Sequence, residues 1–186
     1  MTTTLKLDPI IQLTDEQFYR LCQSNPDLRL ERNAKRELIV NPPTGGDTGT
    51  FNAGLIGEFY IWNKQTQLGF LFDSSTGFKL PNGATRSPDV SWIESERWKQ
   101  LTPQQQAGFP PIVPDFVLEL MSPSDDLRDV QDKMKEYIDN GVRLGWLINT
   151  DAKTVEIYRP AQSIEIVKMP SLLSGEDVLP GFSLNL

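Results

Sequence analysis

The chain has 186 residues, of which 38% are hydrophobic and 23% charged, and its net charge is −7. These values are ordinary for one globular domain that buries a core. The negative charge argues against passive affinity for nucleic acid, although it leaves room for a local basic groove. The sequence has no histidine and one cysteine, Cys22. It therefore excludes Ser-His-Asp and Cys-His catalysis, HExxH metalloproteases, internal disulfides and multi-thiolate zinc sites.

The N-terminal region shows no targeting signal. Residues 1–6 lack the basic start and apolar stretch of a signal peptide. No apolar run in the chain approaches the roughly 20 residues that cross a bilayer. We therefore expect a cytoplasmic protein without a membrane partner. Residues 1–12 carry no clear pattern and are predicted to form a loosely held arm of a single domain spanning 1–186.

The first half of the chain alternates between helix and strand patterns. Thr14 and Gln17 form a capping box that predicts a helix, which Pro26 ends. Residues 28–31 and 36–40 alternate like the strands of a hairpin. Residues 42–46 break the chain, and the next helix is predicted to run from about 47 to 64. A glycine-rich turn before a helix can hold phosphate, but a plain loop is the favoured interpretation here.

The second half holds the clearest strand. Strands are predicted around 69–72, 77–80 and 89–93, followed by a short helix at 94–101 and a loop at 102–114. In the strand 115–121, Phe116, Leu118 and Leu120 point one way, and Val117, Glu119 and Met121 point the other. Ser122–Ser124 is predicted to cap a helix that runs to Asn140, and three more strands follow it. This order predicts an α/β (α+β) class with helices around one mixed sheet.

Polar residues interrupt these apolar elements. Glu119 lies inside a buried strand, Asp89 opens the strand at 89–93, and Lys133 lies at the margin of the apolar stripe of the last helix. A buried carboxylate is costly unless it is paired or binds a metal. We expect Asp89, Glu119 and the Leu120 carbonyl to bind Mg²⁺ or Mn²⁺, with Lys133 beside the attacking water. Glu58, from the preceding helix, is a further candidate.

Each of these residues also has an ordinary structural interpretation. Asp89 after Pro88 is a common turn residue, Glu119 can form a buried ion pair with Lys133, and Glu58 alone is most often a solvated helix position. The acidic residues Asp125, Asp126, Asp129 and Asp132 suit the first turns of a helix better than a metal site. The combination in this order is more specific than any one member.

Basic residues that could contact a nucleic acid are concentrated early in the chain. Arg29, Arg32, Lys35 and Arg36 form the densest cluster, and Lys79 and Arg86 are further candidates for lining a groove. A solvated strand edge explains the cluster about equally well.

Several ordered motifs together resemble the Uma-two family of restriction-endonuclease-like proteins. They are Arg86-Ser87-Pro88-Asp89-Val90, Pro114 to Glu119, Ser122-Pro123-Ser124-Asp125, then Asp129, Lys133, Tyr137, Gly141-Val142, Trp146-Leu147-Ile148 and Leu179-Pro180-Gly181-Phe182. The resemblance covers roughly residues 14 to 186.

The resemblance implies the PD-(D/E)XK nuclease fold, a mixed central sheet flanked by helices. It maps the signature acids onto Asp89 and Glu119. The usual lysine, two residues after the second acid, is replaced here by Met121, and Lys133 on the following helix is its implied substitute. Glu58 matches the family's first-helix acid only loosely.

Two functional hypotheses follow. The first is a magnesium-dependent endonuclease acting on nucleic acid, with double-stranded DNA as the expected substrate and a homodimer as the expected assembly. The second is a non-catalytic nucleic-acid- or protein-binding module on a degenerate nuclease fold, which the acidic charge and Met121 favour. A fold alone does not decide between them. A Lys133 ammonium more than about 6 Å from both carboxylates would favour the second.

Overall fold

The computed structural model describes residues 2–8 and 10–186, and this part of the chain holds five helices. In chain order they are α1 (Asp15–Ser24), α2 (Gly46–Thr66), α3 (Ser95–Lys99), α4 (Pro103–Ala107) and α5 (Leu127–Asp139). Within the described residues, no helix is both long and apolar enough to cross a membrane.

Thirteen strands in the described ranges form three sheets. In chain order the strands are β1 (Thr3–Leu5), β2 (Arg29–Arg32), β3 (Leu38–Asn41), β4 (Gly69–Asp73), β5 (Phe78–Lys79), β6 (Thr85–Arg86), β7 (Val90–Glu94), β8 (Phe116–Leu120), β9 (Leu144–Asn149), β10 (Thr154–Tyr158), β11 (Glu165–Lys168), β12 (Leu172–Ser174) and β13 (Ser183–Asn185). The central sheet has the order β11-β10-β9-β8-β7-β4, and only its β8–β9 pair is parallel. A second, antiparallel sheet has the order β1-β3-β2-β6-β5, and β12 pairs with β13.

The central sheet is covered on both faces. Leu118 and Leu120 of β8 pack into a core with α2 and the C-terminal strands, whereas Val117 packs into a second core with α5. The predicted alternation along this strand is therefore confirmed. Covering both faces explains why all five residues of β8 are buried. It also means that Glu119, on the α5 face, needs polar partners from that side.

Helix boundaries follow local capping. The predicted capping box of α1 is present, because Thr14 Oγ1 accepts the Gln17 N–H at 3.2 Å and Gln17 Oε1 accepts the Thr14 N–H at 2.9 Å. Helix α5 starts later than predicted, with Asp126 accepting the Arg128 N–H at 2.8 Å as its cap. The segment Ser122–Ser124, predicted to cap the helix, lies before it, and Ser122 donates its hydroxyl to Asp125 at 2.8 Å.

Several features differ from the sequence prediction. The strands form three sheets and not one, and β6, β12 and β13 were not predicted. Residues Thr3–Leu5 form β1 against β3 and not a loose arm; Met1 and Pro9 of the predicted arm lie outside the described residues. All three residues of β1 are exposed, so the strand is stabilised by backbone pairing. It therefore has no apolar pattern from which it could be predicted. The predicted loop at 102–114 contains α4, which begins with a capping box between Thr102 and Gln105.

The junction of the two large sheets matters most for the site. Strand β6 pairs with β2 through Arg32 and Thr85, and only three residues separate β6 from β7 of the central sheet. The end of β2 is therefore held next to the start of β7, where Asp89 lies.

Candidate active site

Asp89 directly precedes β7, and Glu119 lies on the neighbouring antiparallel strand β8. Val90 of β7 is opposite Leu118 of β8, which places both carboxylates at the same end of this strand pair. The Leu120 N–H donates to Asp89 Oδ2 at 2.8 Å, so the backbone next to Glu119 orients the Asp89 side chain. The structure thus brings these two predicted residues together, and Leu120 borders the same groove.

Helix α5 supplies two partners for Glu119. Lys133 Nζ lies 2.8 Å from Glu119 Oε1, and the Tyr137 hydroxyl donates to the same oxygen at 2.9 Å. The two side chains are one helical turn apart and so reach the strand together. Because both contact Oε1, the Oε2 atom of Glu119 keeps room for another ligand. The predicted placement of Lys133 next to Glu119 therefore matches the structure.

Glu31 is a member of the site that the sequence analysis did not identify. It lies on β2 and its side chain is 4% exposed. Its Oε1 atom accepts from Lys133 Nζ at 2.9 Å and from the Ser87 N–H at 3.2 Å. The Lys133 ammonium is therefore held between two carboxylates, Glu31 and Glu119, that come from different sheets.

Arg86 extends this network away from Asp89. Its Nη1 atom lies 3.0 Å from Glu31 Oε2, and its Nε atom lies 2.5 Å from Glu136 Oε2 on α5. Glu136 also accepts from Asn82 Nδ2 at 3.0 Å. Buried charges are tolerated when they are paired and hydrogen-bonded, and each charge in this chain of contacts meets that condition.

Burial and pairing set the protonation of these groups. Burial raises the pKa of Glu119 to about 7, because loss of solvation outweighs the attraction of Lys133, and the charges of Asp89 and Glu31 add to the rise. Burial also raises the pKa of Asp89, against the hydrogen bond from Leu120. These shifts keep Glu119 near its titration point at neutral pH.

The pKa values of Glu31 and Lys133 shift in the directions that favour their charged forms. Burial acts to raise the pKa of Glu31, but Lys133 and Arg86 together lower it below its ordinary value. Burial acts to lower the pKa of Lys133, but Glu119 and Glu31 raise it above its ordinary value. Glu31 is therefore an ionised carboxylate and Lys133 a protonated ammonium at neutral pH.

These residues line one groove with a volume of about 850 Å³. Its wall includes Glu31, Arg86, Asp89, Glu119 and Lys133. An open groove of this size admits an extended polymer segment as well as a small molecule. The groove places the carboxylates and the ammonium within reach of a ligand from solution.

The donor set fits a hard divalent cation. Asp89 uses Oδ2 for the Leu120 N–H, and Glu119 uses Oε1 for Lys133 and Tyr137, so each carboxylate keeps one oxygen free of these contacts. In the described ranges no three His, Cys, Asp or Glu side chains cluster as ligands. Mg²⁺ and Mn²⁺ suit such a site, because they accept oxygen ligands, and Mg²⁺ commonly uses one or two carboxylates with water and substrate phosphate.

Glu58 does not join the other candidate residues. It is exposed on α2, whose buried residues Leu55, Phe59 and Trp62 pack on the face of the sheet opposite Glu119. Glu58 is not among the residues that line the groove. Glu31, which reaches the groove from the second sheet, is the third acid of the site.

The three basic residues predicted to contact nucleic acid are engaged within the protein. Arg32 is 1% exposed, donates to the Leu13 carbonyl at 3.0 Å and pairs with Asp15. Lys79 lies 3.6 Å from the same Asp15, and Arg86 is bound to Glu31. Of these, only Arg86 lines the groove.

Other members of the early basic cluster are better placed for a substrate. Arg29 and Lys35 are exposed and line the groove, whereas Arg36 donates to the Leu13 carbonyl at 3.1 Å. Alternation on β2 explains the division, because Arg29 and Arg32 point to opposite faces of the strand.

The acids at the start of α5 behave as the sequence predicts. Asp126 caps the helix, Asp125 accepts from Ser122, and Asp132 lies 3.2 Å from Lys135. Met121 also takes no part in the charged cluster, since its sulfur accepts from Asn149 Nδ2 at 3.4 Å. Lys133 is therefore the lysine that occupies the site.

Comparison with known proteins identifies a family and solved structures of similar fold. A family model, Uma2, described as "Putative restriction endonuclease", matches residues 15–186. The fold also resembles a crystal structure of "a putative nuclease belonging to DUF820" from Anabaena variabilis ATCC 29413, with a TM-score of 0.72 and 22% sequence identity over 84% of this chain and 86% of that chain. This likeness confirms the predicted fold class. No functionally curated protein matches the sequence.

Proposed function

Because the chain belongs to the Uma2 family of restriction-endonuclease-like proteins, we propose that it is a metal-dependent nuclease that hydrolyses phosphodiester bonds of double-stranded DNA. The observation that carries the proposal is the 2.8 Å contact between Lys133 Nζ and Glu119 Oε1, next to Asp89 in the groove. The contact supplies a lysine to the two acids, although Met121 occupies the position where the lysine usually stands.

The free oxygens of Asp89 and Glu119 would hold Mg²⁺ or Mn²⁺. Such a cation offsets charge on the scissile phosphate and lowers the pKa of a water molecule. Asp89, oriented by the Leu120 N–H, fixes one side of this site. Burial raises the pKa of Glu119, and a bound cation would favour the ionised carboxylate that can ligate it.

Lys133 acts as a hydrogen-bond donor in this proposal, not as a base. Glu31 and Glu119 keep it protonated and fix its direction. A protonated ammonium can orient the attacking water and offset negative charge on a phosphate oxygen. Glu31 is thus a positioning residue, because it acts through Lys133.

A homodimer is part of the proposal, since hydrolysis of both strands of a duplex is most direct with two active sites. Arg29 and Lys35 would contact the phosphate backbone, because both are exposed along the groove. Their contribution would explain how a protein of net charge −7 binds a polyanion.

The test is cleavage of a supercoiled plasmid and of labelled duplex oligonucleotides in Mg²⁺ or Mn²⁺, with EDTA as the metal-free reference. The wild type should cut, and Asp89→Asn, Glu119→Gln and Lys133→Ala should not. Glu58→Gln is the matched control for an acid outside the groove. Equal activity in the wild type and all three site variants would refute the proposal.

A non-catalytic binding module is the second candidate. Met121 at the usual lysine position favours it, as does the net charge of −7. Calorimetry of Mg²⁺ or Mn²⁺ binding distinguishes the two, with wild type compared with Asp89→Ala. Binding that Asp89→Ala abolishes supports the nuclease, and absence of binding by the folded wild type, with and without duplex DNA, supports the module.

A further inference from the structure

Helix α2 presents an outer face that the described part of the chain leaves uncovered. The residues of this face lie on the side of the helix opposite Leu55, Phe59 and Trp62, which pack into the core. The outer face comprises Thr50, Ala53, Gly54, Gly57, Tyr60, Ile61 and Lys64. Tyr60 is 57% exposed and Ile61 is 54% exposed, so two consecutive large apolar side chains are exposed to solvent. Such a patch commonly marks an interaction surface.

The glycines of the outer face are not required by the chain's own packing. A Cβ at Gly54 or Gly57 would meet nothing within 4 Å outside the neighbouring backbone of the helix. Neither residue has the positive φ that favours glycine. Glycine inside a helix costs about 1 kcal/mol relative to alanine. Close approach by another helix would offset this cost, because a missing side chain lets two helix axes come nearer.

The charges along α2 identify a second copy of the same helix as the partner. Asp47 lies in the first turn and Lys64 in the last, and neither forms an ion pair among the described residues. The midpoint between them falls between Leu55 and Ile56, and so does the midpoint between Gly54 and Gly57. An antiparallel pair of α2 helices crossing at the glycines therefore places each Lys64 opposite the Asp47 of the other copy.

We propose that the α2 outer face pairs with itself in an antiparallel, two-fold symmetric homodimer. Gly54 of one copy faces Gly57 of the other, and Ile61 of one copy packs near Thr50 of the other. A shallow crossing angle of about 20° keeps the helix ends within reach of Asp47–Lys64 pairing. The symmetry explains why one surface suffices for both copies. The interface lies across the central sheet from Glu119, so the two grooves of such a dimer stay open and face away from each other. This pairing is therefore separate from the homodimer of the proposed function.

The size of the face sets the expected affinity. A 21-residue helix is about 31 Å long, and one helix face covers less than the roughly 800 Å² per partner of a standard interface. We therefore expect a dimer with a Kd in roughly the micromolar range. Sedimentation velocity from about 1 to 300 μM spans that range, and it should show the wild type changing from monomer to dimer.

Substitutions at the crossing point provide the sharpest test. Gly57→Leu should abolish the dimer while raising the thermal midpoint of the monomer, since leucine favours the helix. Gly49→Ala is the matched control, because it improves the same helix eight residues and about 80° away from Gly57, and it should leave dimerisation unchanged. A folded Gly57→Leu variant that still dimerises with wild-type affinity would overturn the proposal, as would a wild type that stays monomeric at the highest concentration.

A charge swap tests the antiparallel register. Lys64→Glu should weaken the dimer several-fold, and adding Asp47→Lys should restore it, because the two-fold symmetry re-forms both pairs with reversed sign. No restoration would reject this register. Lys133→Ala should lose cleavage but remain dimeric, so failure of the interface and failure of the proposed nuclease activity are separately visible.

Discussion

Lys133 and Glu31 are 102 residues apart in the chain, yet the Lys133 ammonium donates to Glu31 Oε1 at 2.9 Å. The contact joins helix α5 to the second sheet across the groove. Because Lys133 also lies 2.8 Å from Glu119, one ammonium links the two sheets at the point where the candidate metal ligands converge. The Lys133 ammonium therefore contributes both to holding the two sheets together and to the proposed reaction.

Removing the ammonium should reduce cleavage much more than it reduces folding. We expect Lys133→Ala to lower the cleavage rate about 10²- to 10⁴-fold, because it removes a positioned donor from the reacting phosphate. Lys135→Ala, which changes an exposed lysine on the same helix, should cut at the wild-type rate. Single-turnover cleavage at saturating metal measures the difference. A rate within a few-fold of wild type in Lys133→Ala would contradict the assigned role.

Glu31 should contribute to both stability and activity. Neutralising it in Glu31→Gln leaves Lys133 and Arg86 without their shared carboxylate in a buried place, and breaking a buried ion pair typically costs about 3 kcal/mol or more. We expect urea unfolding to show a decrease in stability of that order. In a double-mutant cycle with Lys133→Met, the effects of the two substitutions on the free energy of unfolding should be clearly non-additive. Additivity would mean that the two residues act separately.

The activity of Glu31→Gln provides a second readout. If Glu31 acts only by positioning Lys133, kcat should fall while the KM for duplex DNA stays near its wild-type value. Glu31→Asp should recover part of the rate by restoring the negative charge. A variant whose only defect is a lower unfolding midpoint would show that Glu31 is purely structural.

The exposed and the buried arginine of β2 should behave in opposite ways. Arg29→Ala with Lys35→Ala should weaken binding to duplex DNA and lower the slope of log K against log salt by about 0.9 for each phosphate that the variant no longer neutralises. Their unfolding midpoints should be unchanged. Arg32→Met should instead destabilise the fold, because it strips Asp15 and the Leu13 carbonyl of a buried donor. Fluorescence anisotropy and thermal unfolding on the same samples separate the two effects.

The sequence predicted the part of the site that lies on one strand and its following helix. Strand alternation placed Glu119 on the α5 face, and helical periodicity placed Lys133 at the edge of that helix's apolar stripe. Both inferences use local spacing, which the fold preserves. Asp89 was predicted from its place at the start of an apolar run, and β7, which begins at the next residue, pairs directly with β8.

Local residue spacing could not predict contacts between elements that are far apart in the chain. Glu31 looked like an ordinary acid on a short strand, and only the pairing of β2 with β6 brings it next to Ser87 and Lys133. For the same reason Glu58 was placed at the site, although α2 crosses the other face of the sheet. Arg32 counted as part of a basic cluster, but β2 turns it inward toward Asp15. A buried salt bridge between elements that are distant in the chain cannot be predicted until the sheet order is known.

The raised pKa of Glu119 predicts a pH dependence of stability. The carboxyl group titrates near 7 in the folded protein and near 4.5 as its ordinary value, so the folded state binds the proton more tightly. This group's contribution to stability is complete below about 4.5 and is lost as pH rises through about 7. Glu119→Gln should therefore flatten the decline of the unfolding midpoint between these values, measured by thermal unfolding without added metal. A parallel decline in both proteins would show that another group is responsible.

Tyr137 should tune the same titration through the hydrogen bond that it donates to Glu119 Oε1 at 2.9 Å. A donor to a carboxylate favours the ionised form, so Tyr137→Phe should raise the pKa of Glu119 further. If cleavage requires ionised Glu119, the rising limb of the pH–rate profile should move upward by roughly 0.5 to 1 pH unit, in keeping with about 1 kcal/mol for such a bond. The plateau rate at high pH should approach that of the wild type, because Lys133 keeps its contact with Glu119. Tyr158→Phe, which removes a similar bond to Glu156 on the neighbouring part of the sheet, is the matched control and should leave the profile in place. A Tyr137→Phe profile that is lowered at every pH without a shift would instead assign Tyr137 to packing, since poorer shape complementarity acts equally on both protonation states of Glu119.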